Sequence, residues 1–257
     1  MRVLEDQHAV VTGGGRGIGA AVAVALAQQG ATLTLMGRDE SRLEAQARHL
    51  AAITRVRSIV VDVKDGASVE AGFSAAVEAA GPISILINNA GAVATASFGK
   101  TDADLWNEML AVNLTGTYLC CQQVISGMLQ RGYGRVVNIA STAGLTGYAY
   151  VTAYCAAKHG VVGLTRALAM ETARKNITVN AVCPGYTETD IVRDAVVNIV
   201  AKTGKSEDEA RAALTSRNPQ QRLVQPEEVA NAVLWLCLPG SESMTGQTIA
   251  VAGGELL

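Results

Sequence analysis

Tyr154 and Lys158 stand four residues apart in Y-C-A-A-K, inside a stretch of strongly helical sequence. That spacing puts a phenol and an ammonium on one face of a helix. A phenol with its usual pKa of about 10 is a poor base at neutral pH, and a nearby cation favours its phenolate. Such a pair can pass a proton either way, the phenol as general acid and the phenolate as general base. Tyrosine and lysine also meet at this spacing by chance on many helices, so the pair alone does not define a site.

A second group is T-G-G-G-R-G-I-G, from Thr12 to Gly19. A sharp strand-to-helix turn needs residues without a Cβ, both to turn and to let backbone approach a pyrophosphate. Helix N-terminal amides then face the anion. Gly13, Gly17 and Gly19 are the spaced glycines that fit these roles. Any tight turn can use a glycine cluster, but one lying after a first strand and before a helix points to a dinucleotide site.

The next strand, L-T-L-M-G-R, ends in Gly37 and Arg38 with no acid at its tip. A carboxylate there would accept from a free ribose 2′-hydroxyl, whereas a guanidinium can grip a 2′-phosphate. Arg16, inside the glycine turn, supplies a second cation. The alternatives are that both arginines are ordinary surface residues, or that Asp39, one residue on, takes the strand-end position. The two arginines together predict NADP(H) as the cofactor.

The elements that must position these groups alternate along the chain. Strands are predicted at 8–12, 32–36, 56–61, 83–87, 135–139, 177–182 and 248–251. Helices are predicted at 17–29, 40–51, 67–80, 102–129 and 152–174, at 190–200 and 206–215 in a polar segment, and again from Pro226. Gly30 ends the first helix, and Ser206 with Glu209 makes a capping box. This pattern predicts an α/β fold, a Rossmann-type doubly wound parallel sheet with helices on both faces. No linker, repeat or composition break divides residues 1–257, so one domain is expected.

Composition narrows the function classes. Net charge is −2 and hydrophobic residues make up 49 % of the chain, which argues against nucleic acid as a partner and against disorder. Cys120, Cys121, Cys155, Cys183 and Cys237 show no C-x-x-C spacing, so neither a zinc site nor a disulfide framework is expected, and no metal. No apolar run reaches membrane-spanning length and no leader pattern precedes the first strand. A soluble cytoplasmic protein is the expectation.

Beyond these two groups stand N-N-A-G at 88–91, V-N-L-T-G around Asn113, V-V-N-I-A-S ending at Ser141, and P-G-Y-T-E-T at 184–189. With the glycine turn and Y-C-A-A-K, and with Ser141 thirteen residues before Tyr154, the chain resembles the short-chain dehydrogenase/reductase family over nearly its whole length. The resemblance implies catalytic roles for four residues. Ser141 would hydrogen-bond the substrate oxygen and Tyr154 would transfer the proton. Lys158 would bind the nicotinamide ribose and lower the Tyr154 pKa. Asn113 would hold a water that links Lys158 to solvent.

The resemblance also distributes the cofactor contacts. Gly15 and Ile18 join Gly13, Arg16, Gly17 and Gly19 around the phosphates. Asp62 and Val63 lie toward the adenine, with Asn89, Ala90 and Gly91 beneath it. Pro184, Gly185, Thr187 and Thr189 lie along the nicotinamide amide, and Thr189 is the expected contact there, with loop capping as its competing role.

Residues 190–222 correspond to the family's variable substrate lid, similar in length to that of 3-hydroxybutyrate dehydrogenases and aromatic polyketide ketoreductases. Ala92-Val93-Ala94 follow N-N-A-G where hydroxybutyrate enzymes carry polar groups, which speaks against a small free acid. A 3-oxoacyl thioester, on coenzyme A or an acyl carrier protein, is the leading substrate. A general ketone or secondary alcohol, or a polyketide, is the alternative, and a non-catalytic NADP(H)-binding sensor is a remote one. Lys175 matches one of two basic positions that receive the carrier protein in such enzymes, while Gly132, beside Arg131, occupies the other. The resemblance further implies a homotetramer, built through the helices of 102–129 and 152–174 and through the last strand with the helix after Pro226, where Ala250 and Ala252 replace more polar residues.

Overall fold

The computed structural model describes residues 2–256; Met1 and Leu257, the outermost residues of the expected domain, lie outside the described residues. The apolar runs form seven strands: β1 (His8–Thr12), β2 (Thr32–Gly37), β3 (Val56–Val60), β4 (Ile85–Asn88), β5 (Gly134–Ile139), β6 (Ile177–Pro184) and β7 (Thr248–Val251). They make one sheet in the order β3-β2-β1-β4-β5-β6-β7, with every neighbouring pair parallel.

The strands read as continuous apolar runs because both faces of the sheet are covered. Ala9 and Val11 of β1 enter one core with Ile85 and Ile87 of β4. Val10 and Leu86, from the same strands, enter the other. On the first face lie α1 (Gly17–Gln28) and α9 (Pro226–Cys237), through Val22, Leu26, Val229 and Val233, with α2 (Glu40–Leu50) adding Leu43. On the second lie α3 (Gly66–Ala80), α5 (Gly116–Arg131) and α6 (Thr152–Thr172), through Phe73, Val124, Met128 and Ala169. The strand ends expected from sequence are shifted by a residue or two, most at β4, which starts at Ile85.

The expected single helix over 102–129 is broken. Helix α4 (Ala103–Leu110) passes through a π turn at Ala111–Thr115 before α5 begins. Asn113 lies inside that turn, and its Nδ2 donates to the carbonyl of Met109, four residues back, at 3.0 Å. A side chain competing for that carbonyl disturbs the regular ladder, and wide turns of this kind recur at functional sites.

After β6 come α7 (Asp190–Thr203) and α8 (Glu207–Thr215), packed on each other through Val192, Val196 and Ala210. The Ser206–Glu209 capping box is formed in both directions.

The chain reverses direction across the sheet between β1 and β4, so the loops leaving these strands diverge and open a crevice at their carboxyl ends. The residues singled out from sequence lie around this edge. No helix among the described residues is long and apolar enough to cross a membrane.

Candidate active site

The glycine turn leaves β1 and is stapled to the loop after β4. Thr12 Oγ1 accepts from the N–H groups of Asn89 and Ala90, both at 3.0 Å. Asn89 Nδ2 donates to the carbonyls of Thr12 and Gly13 at 3.0 and 3.1 Å. Gly13 and Gly17 take φ of +64° and +52°, which explains glycine at both positions. The first amides of α1 have no side-chain cap, so they face the cavity as unpaired donors.

A cavity of about 520 Å³ runs from this turn to the carboxyl ends of β5 and β6. Asn113, Ser141, Tyr154 and Lys158 all line it. So do Gly13, Gly15, Arg16, Gly17 and Ile18 at the turn, and Arg38 and Val63 beyond it. Asn89, Ala90 and Gly91 form its floor, with Pro184, Gly185, Thr187 and Thr189 along one wall.

Two expected contacts do not reach it. Gly19 is packed inside the turn, where a Cβ would stand 2.3 Å from the Gly13 carbonyl oxygen; its smallness serves helix–strand packing. Asp62 is not among the lining residues. Its backbone N–H donates to Ser68 and its carboxylate accepts from the Lys64 N–H at 3.0 Å, which holds it in the β3–α3 loop.

At the far end from the tyrosine, Arg16, Arg38 and Arg42 all border the cavity. Arg42 is absent from the sequence reading, because it lies a helical turn into α2. Gly15 brings it near: a Cβ there would stand 3.2 Å from the Arg42 carbonyl carbon. Arg16 is not a free surface side chain. It and Arg42 each donate to Asp190 Oδ2 at 2.9 Å, and Arg193 pairs with the other oxygen. Asp39, the competing acid at the strand end, caps α2 through the Arg42 N–H at 3.1 Å. The Ser41 hydroxyl and that N–H hold its carboxyl below the usual range.

At the chemical end, α6 carries Tyr154 and Lys158 on one face. Ser141 lies two residues past β5, and its Oγ accepts from the Ala143 N–H at 3.1 Å while hydrogen-bonding Tyr154. The Lys158 ammonium donates to the Ile139 carbonyl at 2.8 Å. That is its one hydrogen-bond acceptor among the described residues, although Lys158 is only 5 % exposed. Asn113 Nδ2 donates to Ala92 O at 2.9 Å and Oδ1 accepts from Ala92 N, so the side chain pins the loop after β4.

The expectation that Lys158 acidifies Tyr154 needs correction. Tyr154 keeps partial exposure to the cavity, but the protein crowded around it pushes the phenol up to about 12, with the Ser141 hydrogen bond opposing. Burial likewise brings Lys158 down to about 8. Desolvation is the leading cause for both groups, and the phenol is protonated at neutral pH.

Thr189 starts α7 as its N-cap residue without a side-chain cap; its hydroxyl donates to the Thr187 carbonyl at 3.2 Å. Sequence reading also missed Tyr148, Tyr186 and Thr142, which line the cavity near Ser141. Nothing in their spacing marks them. Arg131 donates to the Ile83 carbonyl at 2.5 Å. With Lys175 it lies ahead of the amino ends of β5 and β6, at the sheet edge opposite the cavity of the same chain. Among the described residues no group of three or more His, Cys, Asp or Glu side chains is placed to hold a metal ion, and the five cysteines are free thiols.

A dinucleotide makes specific demands that these features can meet. Uncapped amides and side-chain-free glycines accept phosphates, three arginines border one end, and a buried ammonium with a single acceptor stands at the other. They fit.

Comparison with known proteins agrees with this geometry. The family profile described as short chain dehydrogenase matches residues 7–199. Acetoacetyl-CoA reductase from Rhizobium meliloti strain 1021 is 40 % identical over 252 residues, covering 96 % of this chain and 97 % of the relative. A 3-oxoacyl-(acyl-carrier-protein) reductase from Vibrio harveyi is 37 % identical over 251 residues, covering 98 % of each. Among solved structures, an actinorhodin polyketide ketoreductase variant crystallised with NADPH superposes with a TM-score of 0.93 at 38 % identity, covering 99 % of this chain and 98 % of that one. A profile spanning three-quarters of the sequence, with relatives matched almost end to end, makes this chain a member of the short chain dehydrogenase family.

Proposed function

We propose that this protein is an NADP(H)-dependent oxidoreductase that interconverts a carbonyl and a secondary alcohol, with a 3-oxoacyl thioester as its leading substrate. The observation that carries the reading is the meeting of Ser141, Tyr154 and Lys158 at one end of a cavity whose other end is the glycine turn and its arginines. The bound nicotinamide supplies or accepts the hydride.

The chain's own residues do the rest. The uncapped start of α1 with Gly13, Gly15, Gly17 and Ile18 holds the pyrophosphate. Arg38, Arg16 and Arg42 hold the 2′-phosphate, and Lys158 gives its unpaired N–H groups to the nicotinamide ribose. Val63, Asn89, Ala90 and Gly91 border the adenine side. Pro184, Gly185, Thr187 and Thr189 border the nicotinamide side. Ser141 donates to the substrate oxygen and stabilises charge developing there. Tyr154, protonated at neutral pH, donates its proton to that oxygen during reduction and accepts it back during oxidation. Lys158 faces Tyr154 and replenishes the proton with a water held near Asn113. Helices α7 and α8 act as a lid, bringing Ile191 and Val192 to the cavity and excluding water.

The thioester reading is supported by the acetoacetyl-CoA reductase and the 3-oxoacyl-(acyl-carrier-protein) reductase, both matched nearly end to end. A polyketide substrate is the second reading, favoured by the 0.93 superposition on the actinorhodin ketoreductase. Comparing kcat/KM for acetoacetyl-coenzyme A with simple ketones, using NADPH and NADH, tests the proposal. Preference for the thioester with NADPH is expected, and absence of any thioester activity removes that substrate class.

Assembly as a homotetramer is supported by apolar side chains left exposed on the expected interfaces. Met170 of α6 is 84 % exposed, with Tyr118 of α5 and Trp235 of α9 also open to solvent. Light scattering that returned the 26.6 kDa mass of one chain would refute it.

A further inference from the structure

The turn after β7 brings a carboxylate up behind two residues of the cavity lining, where the scheme above has no use for one. Gly253 and Gly254 both take positive φ, +60° and +92°, conformations open to glycine and costly for other residues. Gly253 is pressed against Asn218, so closely that a Cβ would stand 2.2 Å from Asn218 Oδ1. The double turn folds the chain back, and Glu255 comes to rest between Tyr148 and Gly185, both of which line the cavity.

Glu255 Oε1 accepts from Tyr148 Oη at 2.6 Å. Its Oε2 lies so near Gly185 that a Cβ there would stand 2.7 Å away. Tyr148 Oη is also 2.9 Å from Thr142 Oγ1. A phenol has one proton and an ionised carboxylate only accepts, so that proton goes to Glu255 and the Thr142 hydroxyl donates to the phenol oxygen. Thr142 directly follows Ser141. Arg217 lies over the Tyr148 ring, 5.2 Å from its centre. No lysine or arginine among the described residues forms a salt bridge with Glu255. Arg217 thus stacks on Tyr148 rather than pairing with the carboxylate, which stands behind the substrate end of the cavity.

We propose that Glu255 is a positioning and specificity residue of the substrate site. By holding Tyr148 it fixes Thr142 and the loop that carries Ser141. By its charge it turns away substrates with a free carboxylate beside the reacting carbonyl, in favour of uncharged esters, thioesters and ketones, since like charges in a water-poor cleft repel strongly. This inference rests on the carbonyl-reductase reading above.

Ethyl acetoacetate and acetoacetate share one reacting carbonyl and differ in charge, so they form the test pair. Both are assayed with NADPH for the wild type, Glu255→Gln, Glu255→Ala and Tyr148→Phe, with NADPH Kd measured by fluorescence. Glu255→Gln keeps an acceptor for Tyr148 and removes the charge. It is expected to raise the acetoacetate-to-ester ratio of kcat/KM about tenfold. Glu255→Ala and Tyr148→Phe lose the hydrogen bond and are expected to lower kcat on the ester several-fold more than Glu255→Gln does, with NADPH Kd unchanged. An unchanged ratio in Glu255→Gln overturns the charge role, and wild-type kcat in Glu255→Ala overturns the positioning role. A wild-type enzyme that reduces other ketones or none, but never the ester, overturns this inference and the substrate reading together. Turnover of the ester with an unchanged ratio overturns the charge filter alone.

Discussion

The Lys158 ammonium lies 5.7 Å from the centre of the Tyr154 ring, while its hydrogen bond goes to the Ile139 carbonyl 2.8 Å away. The cation thus faces the phenol without being bound to it, and burial acts on both. Lys158 is held at about 8 and Tyr154 at about 12, so in the unliganded protein the lysine is the group that titrates first as pH rises. Lys158 is also the proposed partner of the cofactor ribose. NADPH affinity should then weaken above pH 8, as the ammonium loses its proton. A fluorescence titration should place a break in log Kd near that pH, and a Kd constant to pH 10 would remove Lys158 from cofactor binding.

A different buried base governs stability on the acid side. His8 bonds Gly81 O at 2.8 Å through Nδ1 and Thr34 Oγ1 at 2.9 Å through Nε2, under the sheet and away from the cavity. Burial, more than any other cause, lowers its pKa below 6.5. The unfolded chain therefore takes up a proton at a higher pH than the folded one. The contribution of the neutral ring is fully present above 6.5 and is lost as pH falls from 6.5 through the lowered folded value. Urea unfolding at pH 7.5 and 5.5 should show a larger loss for the wild type than for His8→Gln, and equal losses would count against the buried neutral ring.

Gly19 offers a test of the glycine turn that does not depend on chemistry. A Cβ there meets backbone at 2.3 Å and Asn89 Nδ2 at 2.5 Å. Neither can yield without moving the turn or the loop after β4. Gly19→Ala should cost about 2 kcal/mol of stability and weaken NADPH binding. Thermal unfolding reads the first and fluorescence the second, and a variant as stable as the wild type would mean the packing described is slack.

Cofactor choice should rest on the arginine cluster. Asp39 borders the cavity beside Arg38, but its carboxylate caps α2 and pairs with Arg42, while Arg16, Arg38 and Arg42 border the same end. Arg38→Asp should shift preference strongly toward NADH, and Arg42→Ala should weaken NADPH roughly tenfold with little effect on NADH. Steady-state assays with the two cofactors decide it; an unchanged preference in Arg38→Asp would place 2′-phosphate recognition elsewhere.

Much of this architecture was legible in the sequence for physical reasons. Strands buried on both faces must be apolar throughout, and the Ser206–Glu209 box and Gly30 mark helix ends by local chemistry. The π turn at Asn113 was hidden because A-V-N-L-T reads as ordinary helix, and its cause is a side chain reaching Met109 and Ala92. Arg42 and Glu255 were hidden because only the fold brings one to the cavity beside Gly15 and the other, across a double glycine turn, up behind Tyr148. The state of Tyr154 was misread for the same reason. Spacing reveals that a cation faces the phenol, but not how much water the surrounding protein removes from both. Gly19 and Asp62 sit in the right motifs yet serve packing and a loop.

Tyr154 as the proton donor is the claim on which the rest depends, and Tyr154→Phe tests it most directly because only the hydroxyl is removed. Turnover of acetoacetyl-coenzyme A or ethyl acetoacetate should fall by about a thousandfold or more, while NADPH Kd and thermal stability stay close to wild type. A variant that binds NADPH normally and keeps a tenth or more of its turnover would contradict the account.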